Sequence, residues 1–512
     1  MVESNIYKTN MKTTTLLIFA AGLLSASAAQ AKVRLPHIVG DGMVLQQQSG
    51  AHLWGWDKPG KTVKVTTSWN KDVYTAQAGR DGKWLVEVKT PKASLTPLSV
   101  TFDDGEKTTI KNLLSGEVWV CAGQSNMEMP VGGFYNCPVK DYNNVVAEAA
   151  QNKGIRFVKV PSVMRTTPQD DAQCEWKAAD ANNVADCSAV GYFFARMVNR
   201  VADVPVGLIL ANKGGSRVES WLDEANLKKY TNEELDSAKM VKKFPYDYLR
   251  PLLWGNGTFH PILNYTVKGI LFYQGCSNVG APGNEYSDRL KLLVEQWRRD
   301  FGQGELPFYF VQIAPYIYGD GADGTSGALL REQQERAASI IPNSALVCTN
   351  DLVEPWEGTQ IHPHQKQPVG ERLAFLALNR DYGFKGLRCE SPVYKSMFIE
   401  GDTCYVSLDK TYGGVSRYDD IEGFEVAGAD KIFHRAVAGH FWVAGQDRRN
   451  ETIFVTSPEV KQPSPCPGRA YSPAQACQRY PAARHGCLRV SCSPARLLLY
   501  DPSDSDDPCP KG

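Results

Sequence analysis

A serine, a pair of glycines, several side-chain amides and a histidine occur in this sequence in settings suited to acyl transfer. Serine chemistry needs a hydroxyl held at a sharp turn, a histidine to take its proton, and fixed N–H donors where an oxyanion develops. Ser125 lies in Cys121-Ala-Gly-Gln-Ser-Asn-Met-Glu-Met-Pro130, with Gly123 before it to permit the turn. Gly215 lies in Asn212-Lys-Gly-Gly-Ser-Arg-Val-Glu-Ser-Trp221 and can offer an unobstructed backbone N–H. Gln274 and Asn278, in Gln274-Gly-Cys-Ser-Asn278, can each add an amide donor. His362, in Gln360-Ile-His-Pro-His364, precedes a helix-like stretch. Each residue alone reads equally well as an ordinary turn residue. No Gly-x-Ser-x-Gly is present, so the usual nucleophile elbow of lipase-like hydrolases is not in play.

These motifs need elements that bring them to one place. Between 114 and 385, short apolar runs read as buried strands: Glu117–Cys121, Val206–Leu210, Gly269–Tyr273, Phe308–Ile313 and Ala345–Cys348. Between them, Asn144–Gln151, Gly191–Val201, Tyr286–Phe301 and Gln367–Asn379 have helical character. Strands alternating with helices predict an α/β domain with a parallel sheet covered on both faces. Ligands in such sheets sit beyond the carboxyl ends of the strands. The first three motifs directly follow a predicted strand, and a loop leads from the last strand to His362. Before this domain, 32–113 alternates apolar and polar residues between turn signals and predicts a small β-sandwich. Its Trp54, Trp56, Trp69 and Trp84 could form a sugar platform or simply core. Residues 386–463 are β-rich again and predict an accessory sheet.

Composition narrows the classes. The chain has 512 residues, 43% of them hydrophobic, with 56 basic and 56 acidic side chains. This length predicts two to four domains at roughly 150 residues each. Zero net charge speaks against a nucleic-acid partner. No stretch approaches the roughly 20 apolar residues that cross a bilayer, so membrane insertion is not expected. Lys12, the apolar run Leu16–Leu24 and Ala29-Gln30-Ala31 read as a signal peptide over 1–31, with Met11 as its start. The protein is therefore expected to be secreted or periplasmic. The 13 cysteines are scattered and form no metal-ligand spacing, which leaves disulfides open and structural zinc unexpected. Residues 464–512, rich in Pro, Cys and Arg, predict a disordered or non-native tail such as a frameshift would leave.

Four segments carry a family resemblance: Gly-Gln-Ser-Asn-Met-Glu-Met-Pro (123–130), Gly-Gly-Ser-Arg-Val-Glu-Ser-Trp (214–221), Phe-Tyr-Gln-Gly-Cys-Ser-Asn (272–278) and Ile-His-Pro-His-Gln-Lys (361–366). They resemble the motifs of sialate O-acetylesterases, which are SGNH-type hydrolases. The resemblance runs from about Leu35 to Pro463. It implies a three-layer α/β/α catalytic domain that removes acetyl esters from sugars, often sialic acids, without metal or cofactor. It also implies Ser125 as nucleophile, His362 as base, and the N–H groups of Ser125 and Gly215 with Gln274 as oxyanion hole. Where the family usually reads Gln-Gly-Glu-Ser-Asn, this chain has Cys276, and Thr359 stands where Asp-x-x-His would put an acid. The missing acid leaves three outcomes open: a Ser–His dyad, an acid borrowed from Asp351, Glu354 or Glu357, or an impaired enzyme. Arg217 could bind a substrate carboxylate, or form a structural salt bridge with Glu219 or Asp223; Asn278 could also touch substrate. The expected function is sialate O-acetyl removal. An acetylxylan-type esterase and a catalytically impaired glycan-binding protein are the alternatives.

Overall fold

The computed structural model describes residues 32–280, 283–318, 326–411, 421, 424–430, 432–441, 452–463 and 495–496. The expected signal peptide, and all of 464–512 except 495 and 496, lie outside them. The molecule is organised around one 17-residue strand, Lys107–Gly123. Its first residues alternate in burial, while everything from Leu113 onward is buried. Residue type explains the change. Lys107-Thr-Thr-Ile-Lys-Asn112 can keep one face wet, whereas Val118-Trp-Val-Cys-Ala122 has to be covered on both faces. The first half therefore pairs in the N-terminal sandwich and the second half forms the centre of the parallel sheet. The boundary expected at 113/114 falls inside this continuous strand rather than in a linker.

In the sandwich, Thr62–Thr67, Val73–Gln77 and Ser94–Asp103 join the central strand's first half, and Gly50–Trp56 pairs with Lys83–Lys89. Trp54 and Trp84 are buried in its core with Leu53, Val65 and Phe102. Trp56 lies beneath the Arg34 guanidinium, and the Trp69 indole donates to the Lys89 carbonyl. These tryptophans thus serve as core and local packing rather than as a sugar platform.

The main sheet runs Ser344–Val347, Phe308–Val311, Gly269–Tyr273, Lys107–Gly123, Val206–Asn212, Ile155–Lys159, Trp176–Ala178. All neighbours are parallel except the last pair. The final two strands extend one edge and were not expected from the sequence. Helices Tyr286–Phe301 and Ser326–Ile340 pack on one face through residues such as Leu293, Trp297, Leu330 and Ala337. The helix Ser326–Ile340 was also not expected. Tyr142–Ala149, Ala189–Ala202 and Gln367–Arg380 cover the other face through Val145, Phe193 and Leu373. These layers give the α/β/α arrangement. The chain leaves the central strand first toward one side and later toward the other. Its carboxyl end, with Gly123 paired to both Asn212 and Tyr273, is therefore the switch point where such sheets bind ligands.

At the far end of the chain, Val393–Glu400, Thr403–Asp409, Thr452–Thr456 and Val437–His440 form an antiparallel sheet with its own core of Val406, Leu408, Ile453 and Val455. All eight cysteines among the described residues are free thiols. Among those residues no helix is long and apolar enough to cross a membrane.

Candidate active site

Ser125 opens a one-turn helix, Ser125–Glu128, directly after the central strand. The turn depends on Gly123, whose φ of 131° suits glycine and whose Cβ, had it one, would overlap the Tyr273 carbonyl. Gln124 fixes the turn to the neighbouring strand: its N–H donates to Tyr273 O (2.9 Å) and its Oε1 accepts from Gly275 N (2.9 Å). On the opposite helix layer, the Ser188 hydroxyl donates to Met127 O (2.7 Å) and accepts from Gly191 N (3.1 Å). The serine is thus held from both sides while remaining half-exposed. The glycine pair lies against it. Gly214 N–H donates to Glu128 Oε2 (2.6 Å), and a Cβ on Gly214 would sit 3.6 Å from Ser125 Cβ.

Asn126 links this turn to the histidine loop. Its Nδ2 donates to Ile361 O (2.9 Å), and its Oδ1 accepts from Lys366 Nζ (2.6 Å). Asn126 follows Ser125 and Ile361 precedes His362, so one side chain keeps the two reactive candidates on adjoining segments. The bond spans 235 positions of sequence. The His362 backbone N–H is held by Gln360 Oε1 (3.1 Å), and its ring packs edge-to-face on Phe134 at 5.3 Å. Its Nε2 is buried with no hydrogen-bond partner, and among the described residues the Ser125 hydroxyl has none either. The two are not bonded to each other in this geometry, as is common before substrate binds. Burial, reinforced by the Lys366 charge, pushes the His362 pKa down to about 4. The imidazole is consequently neutral and able to accept a proton at ordinary pH.

Several expected partners are engaged elsewhere. Glu357 holds His364, not His362: its Oε1 accepts from His364 N (2.8 Å) and pairs with Nδ1 (2.6 Å). Asp351 is bound by the Arg372 guanidinium, and Glu354 takes Gln365 Nε2 (2.8 Å). Among the described residues no carboxylate orients His362. Gln274, 1% exposed, directs Nε2 to Ser216 O (3.0 Å) and Asn278 Oδ1 (2.8 Å), which uses both amide hydrogens. It therefore has none left for an oxyanion. Asn278 is equally engaged, accepting from Val218 N and donating to Glu219. Arg217 makes a two-pronged pair with Glu233 (2.9 and 3.0 Å) and lies 3.5 Å from Glu219. That is the structural salt bridge, extended to a partner the sequence did not reveal. The other expected partner, Asp223, instead caps the helix Glu224–Tyr230 and meets Arg299. A guanidinium buried in this way is not free to clamp a substrate carboxylate.

Residues 115–379 match the model of a carbohydrate esterase family described as sialic acid-specific acetylesterase. The chain belongs to this family. It is 28% identical over 397 residues to human sialate O-acetylesterase, covering 70% of this chain and 73% of that protein. The mouse sialate O-acetylesterase is 27% identical over 442 residues, covering 75% and 80%. Among solved structures, a carbohydrate acetylesterase from Xanthomonas citri superposes with a TM-score of 0.74 at 30% identity, covering 85% of this chain and 93% of that one. As a member of the acetylesterase family, the protein is a carboxylic ester hydrolase that removes O-acetyl groups from sugars.

Within that family setting, Asn212 is the side chain the sequence reading passed over. It ends the strand beside Gly123, is largely buried, and its Oδ1 has no partner. Its amide also makes no hydrogen bond among the described residues. It ends the strand on one side of Gly123, while Gln274 follows the strand on the other side. The Gly215 N–H, likewise without an acceptor among the described residues, remains available. Of the expected residues, the structure joins the segments that carry Ser125, Gly215 and His362, and engages the side chains of Gln274, Asn278 and Arg217 in scaffold bonds.

The depressed pKa gives an expectation for this esterase. A base works only when unprotonated, so lowering its pKa extends activity toward acid. The acid limb of kcat/KM, measured on p-nitrophenyl acetate, should fall near pH 4. Lys366→Met removes a positive charge that disfavours imidazolium, so the limb should move upward. A limb unmoved by that substitution would show that Lys366 does not act on His362.

Proposed function

We propose that this esterase works through an acetyl-Ser125 intermediate with His362 as the only general base. What supports the reading is that the Ser125 hydroxyl and His362 Nε2, each without a hydrogen-bond partner among the described residues, lie on segments joined by Asn126. In the first half-reaction Ser125 Oγ attacks the acetyl carbonyl carbon as its proton passes to His362 Nε2. The backbone N–H groups of Ser125 and Gly215 and the Asn212 amide face the resulting oxyanion. The bond to the sugar oxygen then breaks, and that oxygen takes the proton from His362. In the second half, water gives a proton to His362 and its oxygen attacks the acetyl carbon. Acetate leaves as the proton returns to Ser125 Oγ.

The substrate is an O-acetylated sugar. Sialic acid is supported by the family description and by the names of the mammalian relatives. The Arg217 carboxylate clamp does not support it, because that guanidinium is paired with Glu233. Acetylated plant glycan stands as the other substrate class, and acetate release from acetylated sialic acid and acetylated xylan separates the two. The signal-peptide pattern supports a secreted or periplasmic setting.

The unoriented histidine bears on how fast this esterase turns over. Cys276, where the family usually carries Glu, is buried, and its thiol is pushed above its ordinary pKa by that burial. A neutral thiol is a weak hydrogen-bond acceptor and cannot stabilise imidazolium as a carboxylate does. Cys276→Glu should raise kcat on p-nitrophenyl acetate by about tenfold or more, part of the roughly 10⁴ that an orienting carboxylate supplies in serine proteases. An active enzyme whose kcat does not respond would dispose of the missing-acid account. Wild-type activity no higher than that of Ser125→Ala would overturn the acetyl-Ser125 mechanism.

A further inference from the structure

Next to the glycine pair, the segment 244–250 carries two aromatic rings outward from the reactive serine. The Tyr248 ring packs on Gly215 so closely that a Cβ there would lie 2.5 Å from Tyr248 Cδ2. Tyr246 stacks on Tyr248, with ring centroids 5.5 Å apart and planes at 19°. Tyr246 is 63% exposed. Isolated exposed aromatics are ordinary on protein surfaces. This pair differs because its inner ring touches the loop that supplies an oxyanion N–H and its outer ring is left uncovered.

The segment is also held rigidly. Arg217 Nε donates to Leu249 O (2.9 Å), and the guanidinium lies 4.6 Å from the centre of the Phe244 ring. Arg250 Nε donates to Phe244 O (3.1 Å), and Trp254 Nε1 donates to Tyr248 O (3.3 Å). The buried Arg217–Glu233 pair thus acquires a purpose that a carboxylate clamp would not give it: it fixes the backbone that presents the two tyrosines. Pre-ordered aromatic side chains bind with little entropy loss. A pyranose ring offers apolar C–H faces to such rings, while its hydroxyls remain in water.

We propose that the Tyr246–Tyr248 pair is a stacking platform for a sugar ring adjoining the acetylated one, so that the enzyme prefers acetylated oligosaccharides to acetylated monosaccharides. The proposal rests on the esterase reading above and names the substrate class of that site. The test compares wild type, Tyr246→Ala and Tyr246→Phe on whichever of two acetylated series it cleaves, free O-acetyl sialic acid against the same residue ending di-, tri- and tetrasaccharides, or acetylated xylose against xylobiose, xylotriose and xylotetraose, with p-nitrophenyl acetate as a substrate lacking any sugar. Wild-type kcat/KM should climb about tenfold along the series, a gain typical of one aromatic contact. Tyr246→Ala should flatten the climb and Tyr246→Phe should retain it. A flat wild-type series, or a climb undiminished in Tyr246→Ala, overturns the platform. If wild type fails on p-nitrophenyl acetate as well, the esterase reading fails instead. Titration of Ser125→Ala and of its Tyr246→Ala double variant with the same sugars then decides the platform separately. Affinity that rises with length only when Tyr246 is present supports it, and any other pattern overturns it.

Discussion

Ser125→Ala should lower kcat on p-nitrophenyl acetate by about 10⁴ to 10⁶, and His362→Ala by a comparable factor, because the two act as one unit. In subtilisin, loss of the serine or the histidine alone costs about as much as loss of the whole triad, roughly 2 × 10⁶ in kcat. This enzyme begins from a base without a carboxylate among its described neighbours, so the fall starts from a lower value and the bottom of that range is the expected result. Non-additivity is the sharper readout. The Ser125→Ala, His362→Ala double variant should be no slower than either single variant. Independent, multiplying losses would mean that the two side chains act in different steps. Neither substitution touches the packing that holds the turn, since Gln124, Asn126 and Ser188 make those bonds. Thermal midpoints should therefore stay close to wild type.

Asn212→Ala should lower kcat by about 10² to 10³ with little change in KM, the cost of losing one oxyanion donor. The reason is positional. Asn212 ends the strand that pairs with the nucleophile's own strand, and its Nδ2–H donors, like its buried Oδ1, make no hydrogen bond among the described residues. A buried polar group without a partner is costly, and such groups recur where function requires them. Gln274→Ala should behave differently. It removes a bond to Ser216, another to Asn278 and the one accepted from Tyr286, so its main effect should be on stability. If Gln274→Ala lost kcat at unchanged stability while Asn212→Ala did not, the two roles would be exchanged and the oxyanion assignment above would be wrong.

Much of the scaffold could be read from residue order. Gly269–Tyr273 and Tyr286–Phe301 form as expected, because an unbroken apolar run and a long helical repeat leave few alternatives. Ile155–Lys159 and Trp176–Ala178 were missed because they are short and interrupted by charged residues near the sheet's edge. Ser326–Ile340 was missed because Arg331-Glu-Gln-Gln-Glu-Arg336 hides its apolar stripe, although several of those polar residues are buried. At the site, the segments of Ser125 and Gly215 were legible as strand ends, and that of His362 as the approach to a helix. The roles of Arg217, Gln274 and Asn278 were not. Their partners Glu233, Tyr286 and Glu219 are set by tertiary packing, and no local pattern announces a buried ion pair or a used-up amide. The partner of Glu357 was hidden for the same reason. Glu357 does hold a histidine, but it is the one two residues further on.

Fluorophosphonate labelling tests the shared role of Ser125 and His362 most directly. Such a reagent phosphonylates only a serine whose proton is being taken by a base, and peptide mass mapping identifies the site. One adduct is expected, on the peptide containing Ser125, lost in Ser125→Ala and slowed about a hundredfold or more in His362→Ala. Labelling of another residue, or unchanged labelling of Ser125 without His362, would contradict that shared role.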